Sequence, residues 1–349
     1  MTQAIKVGVV GYGYATATFH APLVSSVPGL DLVAIVSSDA SKVHAMWPQI
    51  KVYATATELF ARDDIDLVII PTPNDTHYAL TAQALAAGKH VVVDKPFTLN
   101  IAEARDLIAC AARAQRVLSV FHNRRWDGDF LTVQKLLASG ALGRVTHVES
   151  HFDRYRPEVR QRWREGAGPG SGLWYDLAPH LLDQAVCLFG MPQAISLDMA
   201  NQRDGALTND WFHAILRYGE MRVILHASAL VAHEGPRFVI HGTQGSFTKY
   251  GLDPQEDALK SGIRPGDAQW GVDSQPGRLD IIRGTWKQHS TVPSELGDYA
   301  RFYQGMRDAI LLGSPHPVAA TDALRVMQLI ELGNQSAVDG NVVQLAHSH

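Results

Sequence analysis

The chain has 349 residues, length enough for two domains, with 46% apolar and 19% charged residues, the balance of a globular protein with a sizeable core. Its net charge of −4 gives no electrostatic case for nucleic acid or an anionic membrane as a partner. No apolar run reaches the ~18 residues of a membrane span, and no secretory segment precedes the first strand, so a cytoplasmic protein is expected.

The first stretch, Ile5 to Val10, is a short apolar run that breaks into Gly11-Tyr12-Gly13-Tyr14 and then into a segment able to start a helix. A strand, a glycine turn and a helix N-terminus together hold a dinucleotide pyrophosphate. One glycine permits the turn, the next lets the backbone approach the phosphates, and the helix end presents free N–H groups. The third small residue of that fingerprint falls on Thr16, neither Gly nor Ala, which predicts a slightly wider helix–strand contact. Asp31–Ser37 reads as a second strand and Ser41–Trp47 as a short helix. Thr57 is expected to cap a helix over Glu58, Leu59 and Phe60, and Ile65–Ile70 to form a buried strand ended by Pro71-Thr72-Pro73. A helix over His77–Ala87, a strand over His90–Val93, a helix opened by Asn100 with Glu103, and a strand over Val117–Phe121 complete the series. Continuous apolar strands alternating with helices are the mark of a doubly wound parallel sheet, whose ligands bind beyond the carboxyl ends of the strands.

The residues at those ends are informative. About twenty residues past the glycines, where a carboxylate would meet a ribose hydroxyl, stands a serine. Ser37, Ser38 and Lys42 can receive a 2′-phosphate, which favours NADP over NAD; the alternative is that Lys42 is a solvated helix lysine and Asp39 supplies the carboxylate. Thr72, Asn74 and His77 follow the third long strand and can line the nicotinamide side. Asp94-Lys95-Pro96 follows the next, and Pro96 keeps Lys95 out of helical geometry. A lysine there can hydrogen-bond a substrate oxygen and stabilise an alkoxide.

From Asn123 the pattern changes, so the spans 1–122 (dinucleotide-binding) and 123–349 (substrate-binding and oligomerisation) are expected as separate domains. Asp127–Ser139 is helical. Val145–Phe152 alternates, with Thr146, Val148, Ser150 and Phe152 on one face. Trp211–Tyr218 and Met221–Ser228 form a hairpin over Gly219-Glu220, and Arg237–His241 pairs with Ser246–Tyr250. An antiparallel sheet with one apolar face uncovered follows, and with it a homodimer or homotetramer. Asp253–Gly277 reads as a long loop, Tyr299–Leu312 and Thr321–Val338 as late helices. Cys110 and Cys187, each inside a helical pattern, are expected to be buried and reduced.

A second constellation lies at Tyr175-Asp176-Leu177-Ala178-Pro179-His180-Leu181-Leu182-Asp183. Pro179 is tolerated only in a first turn, so a helix is expected to start near Asp176, with Asp176, His180 and Asp183 on one face. A histidine held by a carboxylate is a tunable base; the alternative is a capping aspartate and a core histidine. No cysteine or further histidine stands at ligand spacing there, so no metal is expected.

Together, Gly11-Tyr12-Gly13, Pro71-Thr72-Pro73-Asn74-Asp75-Thr76-His77, Asp94-Lys95-Pro96, Trp163-Arg164 and Asp176-x-x-x-His180-x-x-Asp183 resemble the Gfo/Idh/MocA oxidoreductases over essentially the whole chain. The resemblance implies a Rossmann domain followed by an α+β domain with an open-faced, mainly antiparallel sheet. It implies that Lys95 sits beside the nicotinamide, that Asp176 and His180 face it across a cleft, and that Trp163-Arg164 reaches back to the cofactor. The family's usual Glu before this lysine is Asp94 here, which leaves the lysine in place and puts the acidic residue's contact with the cofactor in question. Phe19-His20-Ala21-Pro22, Asn123-Arg124-Arg125-Trp126-Asp127 and Ser150-His151-Phe152-Asp153-Arg154-Tyr155 look like the subgroup of NADP-dependent inositol dehydrogenases, those acting on scyllo-inositol above all. Asn123, Trp126, Tyr155 and Tyr175, with Asp176 and His180, would line a polyol pocket. The alternatives are a different reaction on the same frame, such as reduction of a ketose, oxidation of a dihydrodiol or a biliverdin-type reduction, and a non-catalytic NADP-binding regulator; the trio Lys95, Asp176 and His180 argues against the regulator.

Overall fold

The computed structural model describes residues 4–345; the outer ends of the two expected domain spans, residues 1–3 and 346–349, lie outside it. The chain divides into two compact units. The first comprises residues 1–123, 255–270 and 298–324, the second 124–254, 271–297 and 325–349.

In the first unit the apolar runs become parallel strands: β1 (Ile5–Val10), β2 (Leu30–Val36), β3 (Lys51–Tyr53), β4 (Leu67–Ile70), β5 (His90–Val93) and β6 (Leu118–Val120). Their order, β3-β2-β1-β4-β5-β6, is that of a doubly wound dinucleotide-binding sheet, with its switch point between β1 and β4. The register Val10↔Val36, Val9↔Ile69 and Ile70↔Val93 brings the carboxyl ends of β1, β2, β4 and β5 to one edge. Every residue of β4 is buried, as a strand covered on both faces must be.

Several local expectations are corrected. The helix Ala56–Phe60 is capped by Thr55, not Thr57. Thr55 Oγ1 accepts the Glu58 amide at 3.3 Å while Glu58 Oε2 accepts the Ala54 amide at 3.2 Å, so the box closes two residues earlier. The short edge strand β3 was not anticipated, since three half-exposed residues carry no periodicity. Asp253–Gly277 is not all loop: Gln255–Lys260 is a helix whose fully buried Gln255 accepts the Tyr299 amide at 2.7 Å. That contact, with Phe302 edge-on to Phe121 at 4.9 Å, ties residues 255–270 and 298–324 to the first unit. Neither cysteine is in a disulfide, but Cys187 is exposed and Cys110 half-exposed. Cys110 lies toward Asp106 and Arg113 on the polar side of its helix, with the Arg113 guanidinium 3.0 Å from its sulfur.

The second unit is built on a nine-stranded sheet. Its strands are β7 (Val145–His151), β8 (Ala194–Ala200), β9 (Trp211–Tyr218), β10 (Met221–Ser228), β11 (Pro236–Gly242), β12 (Gly245–Tyr250), β13 (Gly277–Arg283), β14 (Trp286–Val292) and β15 (Val343–Gln344). The order β14-β13-β12-β11-β7-β10-β9-β8-β15 is antiparallel throughout except for the parallel pair β7–β10. Strands β8, β13 and β14 were not anticipated; β14 is exposed along most of its length and so lacks an apolar alternation. One face is buried through Val148, Ser150, Val223, Leu225, Phe212, Ala214 and Phe238. The other carries Ile215, Ile224 and Val239, but also His147, Glu149, His151, His213, His226 and His241, all partly or fully exposed. It is mixed in character, not the apolar face expected.

Candidate functional site

In the first unit the glycine turn sits at the end of β1. Gly11 adopts φ +99°, a conformation that strains any residue with a Cβ, and its amide donates to Val36 O at 3.0 Å. A Cβ built on Gly13 would meet nothing within 4 Å, so the backbone there faces open space. This is the fit a pyrophosphate needs: a sharp turn, then an amide-bearing segment that no side chain covers. Thr16 replaces the third glycine by using its hydroxyl, Oγ1 donating to Gly11 O at 2.7 Å. The helix here opens a π-turn over Thr16–His20 before continuing as Ala21–Ser26, which absorbs the larger residue. Tyr12 is buried, whereas Tyr14 is about half exposed and donates to Glu256 at 2.6 Å.

At the end of β2, Ser37 Oγ hydrogen-bonds around the turn to Asp39 O at 3.0 Å and accepts the Asp39 amide. Asp39 caps the helix Ala40–His44, accepting Ser41 Oγ at 2.6 Å and the Lys42 amide at 3.1 Å. Those hydrogen bonds hold its carboxyl below the usual range. Ser38 and Lys42 are both exposed.

Beyond β4, Thr72 Oγ1 accepts from Thr76 Oγ1 at 2.6 Å, and Asn74 is buried. His77 is fully buried, with Nδ1 2.9 Å from Pro96 O and Nε2 3.0 Å from Thr72 O. Burial pushes its pKa down against the raising influence of Asp94. The ring sits between the segments that leave β4 and β5, and in its neutral form its single N–H donates to one of the two carbonyls. Its role here is to hold those two segments together.

At the end of β5, the Asp94 amide donates to Ile70 O at 3.0 Å, and Asp94 Oδ1 accepts the Lys95 amide at 2.7 Å. Lys95 itself is half-buried. Behind Asp94 lies a buried chain absent from the sequence reasoning: His20 Nε2 is 3.7 Å from Asp94 Oδ2, and His20 Nδ1 is 2.6 Å from the Tyr303 hydroxyl. Burial alone would raise the Asp94 carboxyl, but the His20 imidazole and the Lys95 ammonium overcome it and hold the pKa down at about 2. Asp94 is therefore an anion beside Lys95 at neutral pH. The motif Phe19-His20-Ala21-Pro22 contained the signal for His20; Tyr303, nearly three hundred residues away by the separation of 283, had none.

In the second unit the helix expected to start near Asp176 is broken. Asp176 ends the short helix Gly172–Asp176, and His180 lies in the next, Ala178–Phe189. Pro179 lacks the N–H that an unbroken helix would need and sits in the first turn of the second one. Asp176 and His180 therefore do not share one helical face. Asp183 does share the helix with His180, but its carboxylate is taken by a two-pronged bond from Arg125, with Nη2–Oδ1 2.7 Å and Nε–Oδ2 2.9 Å. Arg237, buried beneath, donates to Gln184 Oε1 at 2.8 Å and lies 3.2 Å from Asp129. These bonds fix the helix that carries His180, which is itself buried.

Gly172 opens this region at φ +87°. A Cβ there would lie 2.5 Å from Asn209 Nδ2, whose Oδ1 accepts the Trp174 amide at 2.8 Å. Arg164 stacks on Trp163 at 4.9 Å and places Nε 3.6 Å from Asp176 Oδ1. A hollow beside Asp176 is lined by Arg154, Arg156, Arg162, Arg164 and Arg203; Arg203 is neutralised by Glu165 at 3.0 Å and Asp210 at 2.9 Å. Tyr175 accepts from Asn334 Nδ2 at 3.1 Å, and Tyr155 is 60% exposed. Asn123, buried, and Trp126, half-buried, bound the 3₁₀ turn that follows β6.

Residues 5–122 match the oxidoreductase family's NAD-binding Rossmann fold, and residues 134–345 its C-terminal alpha/beta domain, the two parts that define Gfo/Idh/MocA proteins. The chain belongs to this family of oxidoreductases. It is 54% identical over 337 residues to the uncharacterized oxidoreductase YdgJ of Escherichia coli, covering 97% of each chain. It is 40% identical over 347 residues to the scyllo-inositol 2-dehydrogenase (NADP(+)) IolW of Bacillus subtilis, covering 99% of this chain and 97% of that one. The solved structure of the YPO2259 protein of Yersinia pestis superposes with a TM-score of 0.96 at 52% identity, covering 100% of this chain and 99% of that one. The Rossmann sheet and the mixed C-terminal sheet are thus a family fold. Among the described residues, no helix is long and apolar enough to cross a membrane.

Proposed function

We propose that this oxidoreductase is an NADP-dependent dehydrogenase of a secondary alcohol on a cyclic polyol or sugar, most similar in activity to a scyllo-inositol 2-dehydrogenase. The observation that carries the reading is Lys95. It leaves β5 at the edge where the β1 glycine turn opens, its amide held by an Asp94 carboxylate that is ionised at neutral pH. The NADP-dependent inositol dehydrogenase IolW, similar along the whole chain, supports the cofactor and substrate class.

Gly11 and Gly13 would hold the pyrophosphate, with Tyr12 and Tyr14 beside it. Ser37, Ser38 and Lys42 would receive the 2′-phosphate, since Asp39 is spent on its helix cap. Thr72, Asn74, Asp94, Trp163 and Arg164 complete the cofactor set, with His77 holding two of its segments. When bound, NADP supplies the hydride acceptor. His180 takes the hydroxyl proton as general base, Lys95 stabilises the developing alkoxide, and Asp176, paired with Arg164, orients the substrate or His180. Asn123, Trp126, Tyr155 and Tyr175 line the polyol. A cytoplasmic setting suits two cysteines that form no disulfide, and the uncovered, mixed face of the nine-stranded sheet suits a homodimer or homotetramer.

The test is a panel of inositols, other polyols, sugars and dihydrodiols offered with NADP or NAD and followed at the nicotinamide absorbance. Turnover of scyllo-inositol with NADP is expected, and Lys95→Ala and His180→Ala should each lower it by about 10²- to 10⁴-fold while NADPH still binds. Near-normal turnover in either variant defeats the assignment. Tight NADPH binding with no turnover of any substrate would make the protein a cofactor-sensing regulator instead.

A further inference from the structure

The open face of the nine-stranded sheet carries a group that the dehydrogenase reading does not use. β7 and β10 run parallel with His151 opposite His226, and β9 sets His213 opposite His226 on its other side. Asp153, two residues beyond β7, faces both of the first two rings. His151 Nδ1 lies 3.5 Å from Asp153 Oδ2, and His226 Nε2 lies 3.5 Å from Asp153 Oδ1. The ligand-type atoms of His151, Asp153 and His226 all fall within 4.8 Å of one another.

We propose that His151 Nδ1, the Asp153 carboxylate and His226 Nε2 form a binding site for a zinc-class divalent cation. The two 3.5 Å separations run to different oxygens of the Asp153 carboxylate, and both are longer than the about 2.7–2.9 Å of a closed charge-assisted N–H···O bond. The 4.8 Å span of the three groups leaves room for a cation that would draw them in to bonds of about 2.0–2.2 Å. Asp153 Oδ1 is buried and accepts no hydrogen bond among the described residues, so a ligand position is left over on the carboxylate. The far nitrogen of His151 is already oriented: Nε2 lies 2.9 Å from Glu149 Oε2. With Nε2–H donated to that carboxylate, a cation that displaces the Nδ1 proton finds the ring already held, the outer-shell arrangement that metal-binding histidines use. Glu149 is steadied in turn by His147 Nε2 at 2.8 Å. Trp211 walls the other side, edge-on to His226 at 5.6 Å and stacked with His213. An entry path exists through the hollow that His151 and Asp153 share with the exposed His233 and Glu234. Two imidazoles and one carboxylate select zinc, cobalt or nickel over magnesium or calcium, which demand more oxygen ligands. The three protein ligands leave a fourth position for water.

The test uses the full chain without an affinity tag, stripped by chelator. Zinc is titrated calorimetrically, and cobalt is added as a spectroscopic substitute. One ion per chain is expected, with the visible d–d bands of a four-coordinate cobalt centre. Asp153→Asn and His226→Gln should each weaken binding by more than about 100-fold, and Glu149→Gln by about 10- to 100-fold. His213→Gln, which alters a neighbouring ring outside the set, should leave both readouts unchanged. No saturable site in the parent protein, or parent-like zinc affinity in His226→Gln, overturns the proposal. If Asp153→Asn fails to fold, as read by its thermal midpoint in chelator, the His226→Gln and Glu149→Gln results decide the matter by themselves.

Discussion

Two groups of polar side chains in this molecule are held in opposite ways. At the carboxyl edge of the parallel sheet, Thr16, Ser37, His77 and Asp94 each hydrogen-bond to the main chain, at Gly11, Asp39, Thr72 with Pro96, and Lys95. On the open face of the second sheet, His147, Glu149, His151, Asp153 and His226 meet one another. The first arrangement fixes the path of the loops, because each bond ties a side chain to a main-chain group of the turn it belongs to, and where the group is buried the bond also satisfies it. The second leaves backbone pairing to the strand ladder and leaves side-chain atoms available to a third party. A preorganised loop edge and an adaptable side-chain patch therefore lie in separate units of the chain.

The sharpest way to break that contrast is to remove Asp94. Asp94→Ala leaves the buried His20 imidazole and the Lys95 amide without their carboxylate, and should cost about 2–3 kcal/mol of unfolding free energy, read by urea titration at neutral pH. A loss under about 0.5 kcal/mol would mean that the edge does not depend on this bond.

Acid titration gives a second, graded comparison. His90 is pushed down to about 4 by burial, helped by the nearby Arg116 cation, and its Nδ1 accepts the Val117 amide at 2.9 Å. A histidine with a depressed folded pKa binds its proton more readily when unfolded. Its stabilising contribution is complete above about pH 6.5 and disappears as the pH falls toward 4. His77, also depressed, acts in the same direction, whereas Asp94 yields only below the ordinary carboxylate range, toward pH 2. The first unit should therefore weaken between pH 6.5 and 4, seen as a falling thermal midpoint, and His90→Asn should flatten that slope.

The smallest effect is expected on the open face. Glu149→Gln in chelated protein should change stability by no more than about 1 kcal/mol, because its partners are partly exposed and water replaces them. A larger change would show that this patch is a structural element like the loop edge.

The parallel sheet was largely legible because strands buried on both faces announce themselves as unbroken apolar runs, with the residue after each run at the ligand edge. The alternating hairpin strands β9 and β10 were legible for the same kind of reason. Strand β14 was not, since exposed residues leave no pattern, nor was the Gln255–Lys260 helix, whose burial depends on Tyr299. The Asp176/His180 spacing pointed to one helix until Pro179 split it.

By itself, the sequence determined the fold family, the glycine turn and the residues at the strand ends, because local backbone chemistry and side-chain period are written in neighbouring residues. Only the tertiary structure decided that Thr16 mends the turn with its hydroxyl, that Tyr303 and His20 stand behind Asp94, and that His151, Asp153 and His226 converge. Those are meetings of residues far apart in the chain, and their geometry is set by sheet register and packing, which no short stretch of sequence contains.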